Sequence, residues 1–286
     1  MSPIKKLAKR ALGEDPYNRL SKTRGRWRRK MADMRWRWSW EGRDNQRRLN
    51  ALRNAYQGKR CFIIGNGPSL KKTDVRLLSK EVTIGCNGLF LLFGEMGYLP
   101  TFYAVEDYLV AEDRAEQINQ IRGTTKVFPR RLAYCLLPDQ DTIYINFRYE
   151  HFKDRPRFNP RFDQLVYWGG TVTYLNIQLA YYIGCREVYL IGVDHNYRVP
   201  SQEEIDEKKV IVSKEEDPNH FHPDYFGPGY RWHDPKVERM EQSYLSAKEF
   251  GDAHGLKIYN ATAGGKLEIF PRVDYDEVVG KTAKGI

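Results

Sequence analysis

From residue 60 onward, short apolar runs alternate with longer amphipathic stretches. Cys61-Phe62-Ile63-Ile64 and Val188-Tyr189-Leu190-Ile191 are apolar at each position, as strands buried on both faces must be. The pattern predicts strands over 60–65, 82–86, 101–105, 125–128, 142–146, 187–192 and 256–260. It predicts helices over 88–95, 107–121, 171–184 and 236–254. Strands alternating with helices make an α/β chain. We expect a single Rossmann-like domain over 59–280, with a mostly parallel sheet and helices on both faces. Residues 198–235 break the pattern with few apolar residues and many charges, prolines and aromatics; they read as a lid-like excursion. Ahead of the domain, residues 1–58 read as a basic, tryptophan-rich helical arm. Trp27, Met31, Met34 and Trp38 recur there at helical spacing, and Leu49, Leu52 and Tyr56 continue a similar stripe.

Charge sharpens this division. Residues 1–60 hold 19 Lys and Arg against 5 Asp and Glu, although the whole chain is only +10, so the domain itself is mildly acidic. Arginine interleaved with tryptophan suits an anionic membrane surface. It also suits nucleic acid. A third reading is a helix packing its stripe on the domain or on a second copy in a homo-oligomer. The body carries no recognised nucleic-acid module, which makes nucleic acid the least expected partner. No apolar run approaches the roughly 18 residues of a membrane span. Met1 to Leu12 lacks the continuous apolar core of a secretory signal. Cys61, Cys86, Cys135 and Cys185 form no C-x-x-C pair and read as buried cytosolic thiols rather than disulfides or zinc ligands. The expected location is cytoplasmic, peripheral at the inner face of the plasma membrane.

The run richest in chemistry is Gly65-Asn66-Gly67-Pro68-Ser69-Leu70, directly after the first apolar run. A strand that stops in a glycine-rich bend aims backbone N–H groups at the carboxyl edge of a sheet, where open α/β folds bind phosphorylated ligands. The third glycine of the dinucleotide fingerprint is absent, and so is the Gly-Lys-Ser/Thr of a P-loop. Polar residues follow other strands too: Asn87 after Cys86, Glu106 and Asp107 after Val105, and Asp194, His195, Asn196 and Tyr197 after Val193. Gly169, Gly170 and Thr171 precede a helix whose first N–H groups suit an anion. In a parallel sheet all these ends share one rim. Asn66 and Asn87 would then face one ligand, and neutral amides suit a sugar or a base. Either asparagine alone is equally a turn residue or a helix cap.

His195, His220, His222 and His233 lie beside or within the excursion. His220 and His222 with Asp194, His195 and Asp224 leave a metal site open, but neither H-E-x-x-H nor a cysteine partner supports it, and no metal ligand is assigned. A histidine that takes a proton from an acceptor hydroxyl is the stronger reading. His233, next to Asp234 and ahead of the last long helix, is the first choice as base and His222 the second.

These motifs resemble those of the bacterial lipooligosaccharide sialyltransferases. The wider group includes the motility-associated-factor flagellin glycosyltransferases and the archaeal MptE-like 6-hydroxymethylpterin diphosphokinase. The likeness covers residues 60–260 and runs through Gly65 to Leu70, Cys86-Asn87-Gly88, Gly169-Gly170-Thr171-Val172, Ile191-Gly192-Val193-Asp194 and the late histidine. The resemblance implies a glycosyltransferase that needs no cofactor and moves a sugar from a nucleotide donor, foremost a CMP-linked nonulosonic acid, to a glycan or lipid-linked acceptor. Asn66, Asn87, Gly170 and Thr171 would hold the donor, Tyr197 and Tyr225 the leaving phosphate, and His233 would be the base. Gly65, Gly67, Ser69, Glu106, Asp107, Gly169, Asp194, His195 and Asn196 complete the expected substrate site. Glycine replaces the family's serine in the turn before the helix, and Asn196 stands where the family has its tyrosine. The alternatives are a Mg-dependent pterin diphosphokinase using Glu106, Asp107 and Asp194, and a non-catalytic assembly factor bound to membrane or nucleic acid.

Overall fold

The computed structural model describes residues 27, 31–32, 34–149, 155–198 and 210–283. Most of the expected arm, and residues 199–209 of the excursion, lie outside that range. The chain divides into two compact units, with the boundary between Asn50 and Ala51. Helix α1 (Trp40–Ala51) runs up to that boundary, with Glu41 in its first turn and Arg48 in its last, the arrangement the helix dipole favours.

The second unit holds, in chain order, β1 (Arg60–Ile64), β2 (Val82–Cys86), α2 (Phe93–Met96), β3 (Phe102–Ala104), α3 (Tyr108–Asp113), α4 (Ala115–Gln120), β4 (Thr125–Pro129), β5 (Thr142–Ile145), β6 (Phe147–Arg148) and β7 (Val166–Tyr167). There follow α5 (Val172–Tyr182), β8 (Glu187–Ile191), β9 (Val210–Val212), β10 (Arg231–His233), α6 (Val237–His254), β11 (Lys257–Asn260) and α7 (Tyr275–Ala283). The seven strands expected from the apolar runs form one sheet in the order β11-β8-β1-β2-β3-β4-β5. All its pairings are parallel, in registers such as Ile64 with Ile191 and Cys86 with Ala104. The fold is an α/β Rossmann-like one.

Alternation along β1 feeds both faces of the sheet. Phe62 and Ile64 join Tyr189, Ile191, Leu70, Leu78 and the α7 residues Tyr275 and Val278 in one buried cluster. Phe62, Tyr189 and Tyr259 stack there in a row, with centroids 5.1 and 5.3 Å apart. Helix α5 packs on β1, β2 and α6 and is buried along Val172–Ala180, which is why its apolar residues show no one-sided stripe.

The strand order has a functional consequence. From β1 the chain steps outward to β5, then returns to lay β8 on the other side of β1. The crevice beyond the carboxyl ends of β1 and β8 is therefore the topological switch point, where open α/β sheets bind ligands.

Three expected features differ in detail. The helix over 107–121 is broken at Arg114 into α3 and α4, because Arg114 is buried and turns across to the excursion. Its guanidinium donates to the carbonyls of Asp224 and, at 3.1 Å, Tyr225, and lies 3.6 Å over the Tyr230 ring. The helix over 88–95 begins as a 3-10 segment (Asn87–Leu92), and only Phe93–Met96 is α-helical. The excursion contains an antiparallel ribbon of β9 and β10. Arg231 fastens that ribbon to α3 through Asp113 at 2.9 Å and Glu112 at 2.9 Å. Its described part is thus a packed wall, with Asn219, Phe221 and Tyr225 buried.

Candidate active site

The bend after β1 is built differently from an anion cradle. Gly65 N–H donates to Ile191 O at 2.8 Å and Gly67 N–H to Gly192 O at 2.8 Å. Leu70 N–H closes the turn on Gly67 O at 3.0 Å, and Ser69 N–H faces the Asp194 carboxylate at 3.3 Å. The amides of Gly65, Gly67, Ser69 and Leu70 are therefore engaged by Ile191, Gly192, the Asp194 carboxylate and the turn itself. The glycines serve close approach instead. A Cβ on Gly67 would sit 1.9 Å from Asp194 Oδ2, and one on Gly65 would sit 2.4 Å from Gly192 O. Ser69 Oγ donates to Asp194 Oδ2 at 2.6 Å, which holds the carboxylate against the bend at the switch point. Asp194 lines the cleft; Ser69 supports it from behind.

Asn66 and Asn87 do reach one shared cleft of about 1030 Å³. Asn66 is 8% exposed, and its Nδ2 donates to Cys86 O at 3.2 Å and Cys86 Sγ at 3.4 Å. Asn87 takes a left-handed backbone (φ 49°), and its carbonyl accepts from the Tyr103 hydroxyl. The side-chain oxygens of both are buried without a partner. An unmet buried acceptor costs about 1–3 kcal/mol, so a ligand N–H or O–H reaching these oxygens recovers that energy. Glu106, at the end of β3, adds a third unmet oxygen, Oε2. Burial, then the charge of Asp107, pushes its carboxyl up to about 8, against the Trp168 hydrogen bond and the Arg131 charge. Near neutrality it is a protonated acid that can donate as well as accept.

His233 lines the same cleft. Its Nε2 lies 3.6 Å from Asp107 Oδ1 and its ring leans on Tyr108, with centroids 5.1 Å apart. Asp107 caps α3 by accepting from Leu109 N–H at 2.8 Å, which fixes its carboxylate. Burial raises the Asp107 carboxyl, against the pull of His233. The alternative base, His222, is not among the cleft-lining residues: its Nδ1 accepts from Asp224 N–H at 3.1 Å, which turns the ring into its own loop. His220 lines the cleft instead, stacked on Tyr225 at 3.8 Å, with Nδ1 2.6 Å from Asp217 Oδ2.

The remaining expected residues divide between lining and support. His195 (φ 51°) lines the cleft, 3.4 Å from Glu241 Oε1; burial lowers its pKa and favours the neutral ring. Asn196 and Tyr197 line it too, and burial raises the Tyr197 phenol. Tyr225 is buried against Gly88, where a Cβ would come within 2.4 Å of its ring, and burial pushes its phenol well up. Gly170 (φ 85°) and Thr171 line the cleft at the start of α5, and Thr171 Oγ1 caps it by accepting from Thr173 N–H at 3.3 Å. Gly169 lies outside the lining and lets Tyr174 and Ser243 close up, since a Cβ there would meet them at 2.4 and 2.7 Å.

Sequence reasoning missed the cations. Arg131 lies 3.2 Å over the Tyr149 ring and Arg239 lies 4.6 Å over the Trp168 ring; both line the cleft, as does Lys236. Arg131 follows β4, so the strand-end rule that found Asn87 also applied to it. Arg239 and Lys236 arrive through α6 and carry no such signal. Among the described residues, no three His, Cys, Asp or Glu side chains converge as ligands for a metal ion. The adjacent carboxyls of Glu106 and Asp107 would need a substrate's phosphates to complete a cation site.

The model of a family described as 6-hydroxymethylpterin diphosphokinase MptE-like matches residues 42–200. No curated protein matches the chain. Among solved structures, it is similar to the MAf glycosyltransferase from Magnetospirillum magneticum AMB-1, with TM-score 0.45 and 19% identity, over 80% of this chain and 38% of that one. The chain therefore spans well under half the length of that protein. It is also similar to the sialyltransferase CstII from Campylobacter jejuni, solved with the substrate analogue cytidine-5'-monophosphate, with TM-score 0.31 and 14% identity, over 80% of this chain and 99% of that one.

Proposed function

Because the chain belongs to the 6-hydroxymethylpterin diphosphokinase MptE-like family, we propose that its switch-point cleft binds an activated nucleotide, and that the reaction is glycosyl transfer. The donor is a nucleotide sugar, foremost a CMP-linked nonulosonic acid, and the acceptor is a hydroxyl of a glycan or a lipid-linked glycan. One observation carries the reading. His233, 3.6 Å from Asp107, lines the same cleft as Asn66 and Asn87, whose buried amide oxygens have no partner. Neutral acceptors match the N–H and O–H groups of a base or sugar. A histidine beside a carboxylate matches the removal of a proton from an acceptor hydroxyl.

In this reaction the acceptor oxygen attacks the anomeric carbon, and the bond from that carbon to the phosphate oxygen breaks. The proton passes to the His233 imidazole, and Asp107, 3.6 Å from Nε2, stabilises the imidazolium that forms. Charge grows on the departing phosphate. Arg239, Lys236 and the start of α5 supply the positive field for it, with Tyr197 and Tyr225 as phenol donors. Asp194 disfavours the phosphate at the Gly65–Gly67 bend and so sets its direction in the cleft.

The test combines binding and turnover. CMP at a hundred times its Kd raises stability by about 2.7 kcal/mol, read as a higher melting temperature without magnesium. His233→Ala is expected to lower transfer by about two to four orders of magnitude while sparing donor affinity. Equal loss of donor binding, or unchanged turnover, removes His233 from the chemistry. A second reading, diphosphokinase chemistry with magnesium, is favoured by the paired carboxyls Glu106 and Asp107 and by the family's description. Stabilisation by ATP and a pterin only with magnesium, and none by CMP, would select it.

A further inference from the structure

We propose that the row Trp27, Met31, Met34 and Trp38 docks this protein on the surface of an anionic lipid bilayer. The positions are four, three and four residues apart, the spacing of one helix face, and each of these four residues is itself helical. The side chains are 63%, 44%, 47% and 78% exposed, and Trp40 beyond them is 73% exposed. Among the described residues, half of the large apolar side chains that stand exposed fall in this short stretch; the others, such as Leu77 and Leu137, are scattered through the domain. Scattered exposed apolar residues are ordinary, but a contiguous row of them marks a contact surface.

Charge identifies the partner. Residues 1–60 carry 19 Lys and Arg against 5 Asp and Glu, and Arg35, Arg37 and Arg43 are exposed beside the row. Basic residues flanking tryptophan and methionine fit a headgroup layer, with phosphate for the guanidinium groups and acyl boundary for the rings and thioethers. A nucleic acid would reward the arginines but would leave the two methionines in water. Among the described residues no helix is long and apolar enough to cross a membrane, so the contact is with the surface.

The experiment is sedimentation of the full chain with vesicles of phosphatidylcholine containing one-third phosphatidylglycerol, and with vesicles of phosphatidylcholine alone. Binding to the anionic vesicles is expected to exceed binding to neutral ones by at least roughly tenfold. The double variant Trp27→Ser, Trp38→Ser is expected to bind the anionic vesicles at least roughly tenfold less well, with an unchanged melting temperature because both rings are exposed. Brominated lipid is expected to quench tryptophan emission in the parent chain and to quench it less in the variant. Arg35→Gln with Arg37→Gln is expected to reduce the salt dependence while leaving the quenching in place. Three results would overturn the proposal: equal vesicle binding by the tryptophan variant; no vesicle binding but a dimer that the variant loses; or tight binding to a DNA duplex with none to vesicles.

Discussion

The perturbation Glu106→Gln tests whether a protonated carboxyl sits in the cleft. In the folded chain Glu106 is 5% exposed, and burial, then the charge of Asp107, holds its carboxyl at about 8. In the unfolded chain it ionises near the ordinary 4.5. Between those values the folded state binds the extra proton, so stability falls as pH rises through this window. The contribution is fully present below the unfolded pKa and is lost as pH passes the folded one. At about 1.4 kcal/mol per pH unit, the cost of keeping Glu106 is about 3 kcal/mol at pH 7, levelling near 5 kcal/mol above pH 8. Glutamine has the same shape and no ionisation, so the variant escapes the loss. Urea unfolding of both chains from about pH 5 to about pH 9 reads the effect. The variant should match the wild type at the acid end and exceed it increasingly toward the alkaline end. Parallel stability curves, or a wild type that gains on the variant as pH rises, would refute the reasoning.

Three further outcomes follow from the geometry. Gly67→Ala places a Cβ 1.9 Å from Asp194 Oδ2 at a backbone φ of −68° that alanine accepts, so the cost is steric and should be about 1–3 kcal/mol by urea unfolding; an unchanged midpoint would show that β1 and β8 separate freely. Asn66→Ala removes an unmet acceptor and should weaken CMP binding roughly tenfold by calorimetry; unchanged affinity would take Asn66 out of the donor site. Lys126→Met leaves Asp139 without the buried ammonium that bonds it, although Arg122 stays 3.2 Å away, and should cost about 2–4 kcal/mol; a cost within about 0.5 kcal/mol would mean the pair is as exposed as a surface bridge.

Much of this architecture is legible along the chain. The seven strands were readable because each is an apolar run between polar breaks, and burial on two faces leaves no other composition. The meeting of Asn66 and Asn87 followed from a single rule: parallel strands end at one rim. The same rule reached Glu106, Asp107 and Asp194. It failed where the answer depended on a distant partner. The amides of Gly65 and Gly67 looked free in sequence, yet they bond to Ile191 and Gly192, more than a hundred residues away. His220 and His222 are indistinguishable as residues of one loop, and only the stacking of His220 on Tyr225 decides which of them lines the cleft. The break at Arg114 has no local cause; its guanidinium is drawn to carbonyls of the excursion.

By itself, then, the chain's pattern determined the α/β class, the parallel sheet and the edge that carries the polar residues, because periodicity records how each segment is buried. The tertiary structure alone decided which groups remain unsatisfied there. Folding placed β8 beside β1, used the glycine amides and set Asp194 against them, and left the side-chain oxygens of Asn66, Asn87 and Glu106, three cleft-lining residues, buried without a partner. A hydrogen bond needs two groups within about 3 Å of each other, and no sequence distance measures that.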